Sequence, residues 1–344
     1  MPAPRKKLAF VYRNPVHFVR LDSRLLAEDW DVTEVRFSFS PLCLWRLWRA
    51  VGRCDVAFAW FGNVWAALAV LFARLRGRKS VVVAGGYDAD VVPEIGYGLP
   101  LHPVLRHFAR YAFTRADLVL PVSPYMERRL RAFCRPRASL LVPNAVDLPD
   151  VVPDPAAKEA FVLTIGLVHQ GSSPIKGHYL FLETAARLPD VPFVLYGRQM
   201  DATAGELRRL APPNVVLVDD AGRDSLLAYL LRARVYAQFS ATESFGVALV
   251  EAMRCGATPV VTPRGALPEM VGDAGIVAQG MDPDALARAV RQALDRGPAV
   301  NERAMDLAGG YTLGARRRRL RRMAALLGFP RQADGLSCAR GPGK

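Results

Sequence analysis

Glu243-Ser244-Phe245-Gly246-Val247-Ala248-Leu249-Val250-Glu251 continues through Ala252-Met253-Arg254-Cys255-Gly256 and lies between two short apolar runs, 235–239 and 258–262. The runs read as strands, and the stretch between them reads as a loop followed by a helix. Gly246 opens that helix and Gly256 closes it as a C-terminal cap. A helix that starts on small residues leaves backbone N–H groups that approach an anion closely. Glu243 then stands at the mouth of an anion site, with Glu251 further down the same helix. On spacing alone, a surface-loop glutamate followed by a helix glutamate describes the pair equally well.

The surrounding order is more specific. Ser-Phe-Gly is followed by Glu-Ala-Met-Arg-Cys-Gly, then the strand, then Pro263-Arg264-Gly265 and Pro268-Glu269. This string resembles the donor-site signature of retaining nucleotide-sugar glycosyltransferases of family 4, which have the two-domain GT-B fold. Val142-Pro143-Asn144-Ala145-Val146-Asp147 resembles the family's interdomain turn, with Ala145 where glycine is usual. The resemblance covers roughly residues 80–325 and is strongest in the second half.

It implies roles for particular residues. Lys176, before Gly177, would supply the cation for the donor diphosphate. Glu251 would accept the ribose hydroxyls, and Glu243 would lie against the donor sugar and stabilise positive charge at the breaking anomeric bond. The amides of Ser244, Phe245, Gly246 and Val247 would face sugar and phosphate. The chain departs from the family after Gly166, where Leu167 stands in place of the usual arginine. Arg198 and Arg264 are the candidates for the second phosphate cation, and His169 reads as a loop residue.

In the first half, Gly85-Gly86-Tyr87-Asp88 stands where relatives often carry a sugar-contacting histidine. Asp88 is therefore a candidate for catalysis or acceptor contact, with Gly86 beside it. Asn14 and His17, after the first strand, are acceptor-side candidates. Asp88-Ala89-Asp90 also matches an Asp-x-Asp metal triplet, but nothing else in the chain accompanies it. The expectation is no metal, and no cofactor beyond the nucleotide-sugar co-substrate.

The 344 residues suit two domains. Strands are expected at 8–12, 32–37, 56–60, 80–83, 118–122 and 139–142, and again at 161–165, 193–196, 215–218, 235–239, 258–262 and 275–278. Strands alternating with helical stretches specify an α/β fold of parallel sheets with helices on both faces, and the resemblance implies two Rossmann-like domains facing a cleft. The divisions are 1–150 and 151–310, which the resemblance makes the acceptor and donor domains, 311–328, a helix that by the same resemblance crosses back onto the first domain, and 329–344 as a disordered tail.

The formal charge is +14. Residues 1–150 hold 22 Lys and Arg against 13 Asp and Glu. Such a balance favours an anionic partner: a nucleoside diphosphate, acidic lipid or nucleic acid. No zinc spacing or RNA-binding aromatic signature accompanies the charge, so nucleic acid is not expected. The segment 42–53 sets Trp45 and Trp48 among Arg46, Arg49 and Arg53 at helical spacing. It reads as a helix that either lies in an anionic headgroup layer or buries its tryptophans. The uncharged run 56–73 is long enough to suggest a membrane span, but Gly62-Asn63 breaks it into strand, turn and buried helix.

Five unpatterned cysteines and no leader signal fit a reducing cytoplasmic setting, with peripheral membrane contact at most. The resulting expectation is a retaining glycosyltransferase acting on an unidentified acceptor. The alternatives are a nucleotide-sugar epimerase of the same fold and a basic binding protein without catalytic activity.

Overall fold

The computed structural model describes residues 5–220, 222–296 and 300–329. The tail residues 330–344 lie outside that set, but Phe329, assigned from sequence to the disordered tail, packs edge-on against Trp30 at 5.3 Å.

The first sheet comprises β1 (Lys7–Tyr12), β2 (Asp31–Arg36), β3 (Val56–Trp60), β4 (Lys79–Ala84) and β5 (Leu118–Pro121), in the order β2-β1-β3-β4-β5. The second comprises β6 (Glu159–Ile165), β7 (Phe193–Tyr196), β8 (Val215–Val218), β9 (Ala233–Gln238), β10 (Thr258–Val261) and β11 (Ile276–Val277), in the order β11-β10-β9-β6-β7-β8. Every pairing within the two sheets is parallel. Central strands such as Val56-Ala57-Phe58-Ala59-Trp60 are buried along their whole length, which is why they read as unbroken apolar runs.

In both sheets the strand order reverses once, between β1 and β3 and between β6 and β9. Loops at the carboxyl ends of strands around such a reversal diverge and leave a crevice. The connections after β1, β3 and β4 carry Asn14, His17, Gly62 and Gly85-Gly86, while those after β6 and β9 carry Gly166, Lys176 and Glu243.

Two sequence expectations need correction or refinement. The segment 139–142 is not a strand: Ser139 makes one isolated parallel bridge to Val119, and Val142 donates to the Pro121 carbonyl at 3.0 Å. Pro143 follows, so the ladder cannot continue through that backbone nitrogen. The apolar run 56–73 divides into β3 and the helix Val64–Leu75, capped by the Asn63 side chain on the Val64 N–H at 2.7 Å. No helix among the described residues is long and apolar enough to cross a membrane.

The C-terminal helix Leu313–Leu326 begins on Thr312, whose hydroxyl accepts the Ala315 N–H at 3.3 Å, and it packs against the first domain. Arg316 is 1% exposed and forms a two-pronged pair with Asp22, itself 0% exposed. Its other terminal nitrogen donates to the Val142 and Pro143 carbonyls at 2.9 and 2.6 Å, and the Trp60 indole donates to Asp22 at 2.9 Å. Every strong hydrogen-bonding group in this cluster is thereby engaged, the condition under which a buried ion pair is tolerated. Asp22→Ala should lower the unfolding free energy by about 3–5 kcal/mol in urea denaturation, because it strands a buried guanidinium. The double variant Asp22→Leu with Arg316→Met should regain most of that loss.

Candidate active site

The helix Val247–Arg254 runs from the carboxyl end of β9 toward β10. Gly246 caps its start at φ 87°, and Gly256 and Ala257 close its end with amide bonds to the Met253 and Ala252 carbonyls, both 3.0 Å. The first-turn amides have no partner within the helix. Phe245 is 2% exposed and packs edge-on against Tyr311 at 5.2 Å, so its side chain anchors the loop while its backbone stays at the helix start.

Glu243 sits above that start. Lys176 Nζ donates to Glu243 Oε2 at 2.5 Å, and Gln238 Nε2 donates to the same oxygen at 2.8 Å. The lysine arrives from the short helix Ser173–Lys176 after β6, and the glutamine from the last position of β9. The reversal between β6 and β9 thus brings the sequence-distant Lys176 onto a carboxylate that Gln238, five residues upstream, already holds. Gly265, at φ 61°, lies so close to the backbone of Glu243 that a side chain there has no room, and Ala266 N–H bonds the Glu243 carbonyl at 2.7 Å. The Pro263-Arg264-Gly265 turn therefore fixes the backbone that presents Glu243.

Glu251 is 5% exposed. Burial raises its pKa, against the pull of Arg223, whose guanidinium donates to Glu251 Oε1 at 3.0 Å and also to the Asp147 carbonyl. His17 begins the helix His17–Ala27, and its pKa is lowered by partial burial and then by the nearby Arg223 charge. Arg223 therefore joins the ends of both domains at Glu251. Sequence reading missed it; the available signal was a lone arginine just after Asp219-Asp220-Ala221-Gly222. It also missed Gln238, a polar residue ending an apolar strand.

The candidates for the second phosphate cation divide. Arg198 is exposed on the loop after β7, where its carbonyl accepts the Val168 N–H at 3.0 Å. Arg264 turns toward Met281, with Nε 3.1 Å from the sulfur. A β-carbon on Gly166 would press on the ring of His178, and one on Gly197 would overlap the Gly166 backbone. Burial lowers the pKa of His178 to about 4, its Nδ1 lies 3.1 Å from Ser173 Oγ, and its Nε2 has no hydrogen-bond partner among the described residues. His169 stays in the loop, where its Nδ1 accepts the Gly171 N–H at 3.1 Å.

On the first domain, Asp88 is 2% exposed and does not present a free carboxylate. It accepts the amides of Gly62 at 2.7 Å, Gly85 at 3.1 Å and Gly86 at 2.8 Å. Its visible role is to shape the Gly85-Gly86 turn. Gly86, at φ 147°, lies where a β-carbon would overlap Ser244 Oγ, so this glycine allows the two domains to meet. Asp90 is equally engaged, by Arg129 at 2.7 Å, Tyr125 at 2.8 Å and Thr242 of the second domain at 2.8 Å. Phe61, at φ 67°, is the one non-glycine residue with positive φ among those described, and it directly follows β3 beside this turn. Asn14 remains exposed in the loop after β1.

Two parallel α/β halves meeting through these loops define a GT-B fold. The second half, residues 160–296, matches the family model for glycosyl transferases group 1, and residues 8–149 match that of glycosyltransferase family 4. The chain belongs to this family-4 type of glycosyltransferase. It is 26% identical over 246 residues to a phosphatidylinositol N-acetylglucosaminyltransferase subunit of Arabidopsis thaliana, covering 69% of this chain and 53% of that one. It is 32% identical over 162 residues to D-inositol 3-phosphate glycosyltransferase of Mycobacterium sp. (strain KMS), covering 43% of this chain and 35% of the other. The chain thus spans about half the length of the first relative and about a third of the second. Among solved structures, sucrose-phosphate synthase from Thermosynechococcus elongatus superposes with a TM-score of 0.75 at 16% identity over 94% of this chain and 99% of the other. Anabaena HepE in complex with UDP-glucose gives 0.75 at 16% identity, over 93% and 100%.

The Asp88 carboxylate has a titration of its own. Burial pushes its pKa up to about 6, against the three glycine amides that favour the anion. Below that pH the protonated group is a weaker acceptor, and the turn facing Ser244 loosens. The specificity constant kcat/KM of the protein's catalysed reaction should fall as pH drops through about 6, and Asp88→Asn should remove this limb while lowering the plateau.

Proposed function

We propose that the protein transfers a sugar from a nucleoside-diphosphate sugar to an acceptor held by the first domain, with retention of anomeric configuration. The observation that carries this reading is Glu243, presented at the start of a helix with Lys176 and Gln238 on one oxygen and Glu251 further along the same helix. HepE, of the same fold, was solved with UDP-glucose, and the two relatives are named as sugar transferases acting in inositol chemistry.

In this mechanism the diphosphate settles on the amides at the start of the helix Val247–Arg254 and draws Lys176 from Glu243. Glu251 exchanges Arg223 for the ribose hydroxyls, and the released guanidinium is available to the diphosphate in place of the arginine missing after Gly166. Glu243 then faces the sugar and stabilises the oxocarbenium-like charge as the anomeric bond to phosphate breaks. The leaving phosphate oxygen takes the acceptor's proton on the same face, which gives retention. Asp88 positions the Gly85-Gly86 turn over this centre and does not touch the reacting atoms.

The reaction needs neither metal nor cofactor in this proposal, because Lys176, Arg223 and helix amides supply the positive charge. The reading places the enzyme in the cytoplasm, at the inner face of the membrane, where reduced Cys43, Cys54, Cys134 and Cys255 fit the redox setting. Activity should survive EDTA, and NMR of the product should show the donor's anomeric configuration.

A panel of UDP- and GDP-sugars tested for donor hydrolysis and transfer decides the reading: release of the nucleoside diphosphate supports transfer, whereas sugar interconversion on an intact nucleotide would identify an epimerase. Glu243→Gln should lower kcat by about 10²–10³-fold while nucleotide affinity by calorimetry stays near that of the parent. Near-normal turnover removes Glu243 from catalysis. Glu251→Ala should weaken nucleotide binding by about tenfold or more through two lost ribose hydrogen bonds. Unchanged affinity with only a lower melting temperature makes Glu251 structural.

A further inference from the structure

The first domain carries its charge unevenly. Three consecutive connections, containing helices Pro41–Arg53, Val64–Leu75 and Leu105–Arg115, lie side by side on one face of the first sheet. The stretches 41–53, 64–79 and 99–115 hold three, four and three Lys and Arg and not one Asp or Glu. All of those cations are exposed, and none forms an ion pair among the described residues. The opposite face is built differently: Arg316, Arg317 and Arg321 of the C-terminal helix all pair with Asp22, Glu28 or Asp29.

Apolar side chains stand exposed among the unpaired cations. Trp45 is 51% exposed with Arg49 stacked over its ring at 4.5 Å, and Leu42, Leu75 and Val104 are each more than half exposed. Trp48 behaves otherwise, packed edge-on against Phe72 at 5.1 Å beneath Arg76. Between the second and third helices runs an apolar groove of about 310 Å³ lined by Leu68, Leu71, His107, Phe108 and Tyr111. A larger hollow of about 670 Å³ opens between β2 and the first helix, with Arg46, Arg49 and Arg53 on its helix side and Asp31 and Glu34 on its strand side.

We infer that this entire three-helix face is a docking surface for an anionic lipid bilayer. Unpaired cations attract a negative headgroup layer at about 1 kcal/mol each near the surface. The interleaved Trp45, Leu42, Leu75, Val104 and Phe108 provide apolar area that enters the headgroup boundary, and the stems of the arginines reach back to phosphate level. A nucleic acid would satisfy the charge but leave those side chains in water. The first and third helices start at the edge of the sheet from which the Gly85-Gly86 turn rises, so docking brings the acceptor side of the cleft to the membrane. The surface stands on charge and exposure alone and does not require the transfer reaction.

The test is sedimentation of the full chain with vesicles of phosphatidylcholine alone or mixed with phosphatidylglycerol. Binding should require phosphatidylglycerol and weaken as salt rises. Arg46→Glu with Arg49→Glu and Arg53→Glu should reduce partitioning by about tenfold or more, and Arg106→Glu with Arg110→Glu on the third helix should do the same. Phe108→Ser should remove the binding that persists in salt. Arg209→Glu with Arg288→Glu, on the second domain, should leave partitioning unchanged, with circular dichroism confirming that every variant folds. Equal binding to neutral vesicles, no binding, or loss on the first helix with none on the third overturns the proposed face. Retention of single-stranded RNA with no vesicle binding also overturns it.

Discussion

The pair between Arg316 and Asp22 ties together parts of the chain that the sequence keeps far apart. Asp22 lies on the first helix, Trp60 at the end of β3, Val142 and Pro143 at the crossing between domains, and Arg316 on the last helix. All four meet at one buried charge pair, and their hydrogen bonds satisfy one another. A buried guanidinium accepts only a narrow range of geometries, so the C-terminal helix is fixed against the first domain. The crossing segment held by Arg316 continues to Asp147, whose carbonyl holds Arg223, and Arg223 holds Glu251. The position of the ribose-binding candidate therefore depends on a contact made by the last helix.

The site between the domains is electrostatically closed in this state. Lys176 is occupied by Glu243, and Arg223 by Glu251. Each pair joins a cation suited to phosphate with a carboxylate suited to a sugar. In the proposed reaction a nucleotide sugar would supply the opposite partner for both members of both pairs, exchanging two internal ion pairs for four ligand contacts. The internal pairs keep these carboxylates compensated, where an unpaired buried one would be costly. Across the cleft, Asp90 to Thr242 and Glu269 to the Tyr125 amide hold the first domain's loops in register with Glu243.

Charge on the first domain follows a division of labour between its two faces. Where the C-terminal helix packs, Arg316, Arg317 and Arg321 are matched by Asp22, Glu28 and Asp29. Where three helices face outward, there are arginines without carboxylates, and apolar side chains among them. The net charge of the chain is thus largely a property of one surface, which the bulk value does not reveal.

Much was legible in the linear sequence because short-range patterns dictate it. Unbroken apolar runs of four to six residues between helical stretches specified parallel strands, Gly62-Asn63 marked the turn after β3, and Gly246 and Gly256 marked the ends of the helix between them. The order Glu243 to Gly256 placed one carboxylate before a helix and another within it, since helix geometry is local. Pairing was not legible: that Lys176 meets Glu243 depends on which strands flank the sheet reversal. Asp88 looked like a free carboxylate because its partners, the backbone amides of Gly62, Gly85 and Gly86, have no sequence signature. The sequence by itself determined the strands, the helices, their caps and the chemistry available at each turn. Tertiary structure alone decided which charges are paired and which stand open, because pairing is set by distance through space and desolvation by neighbours remote along the chain.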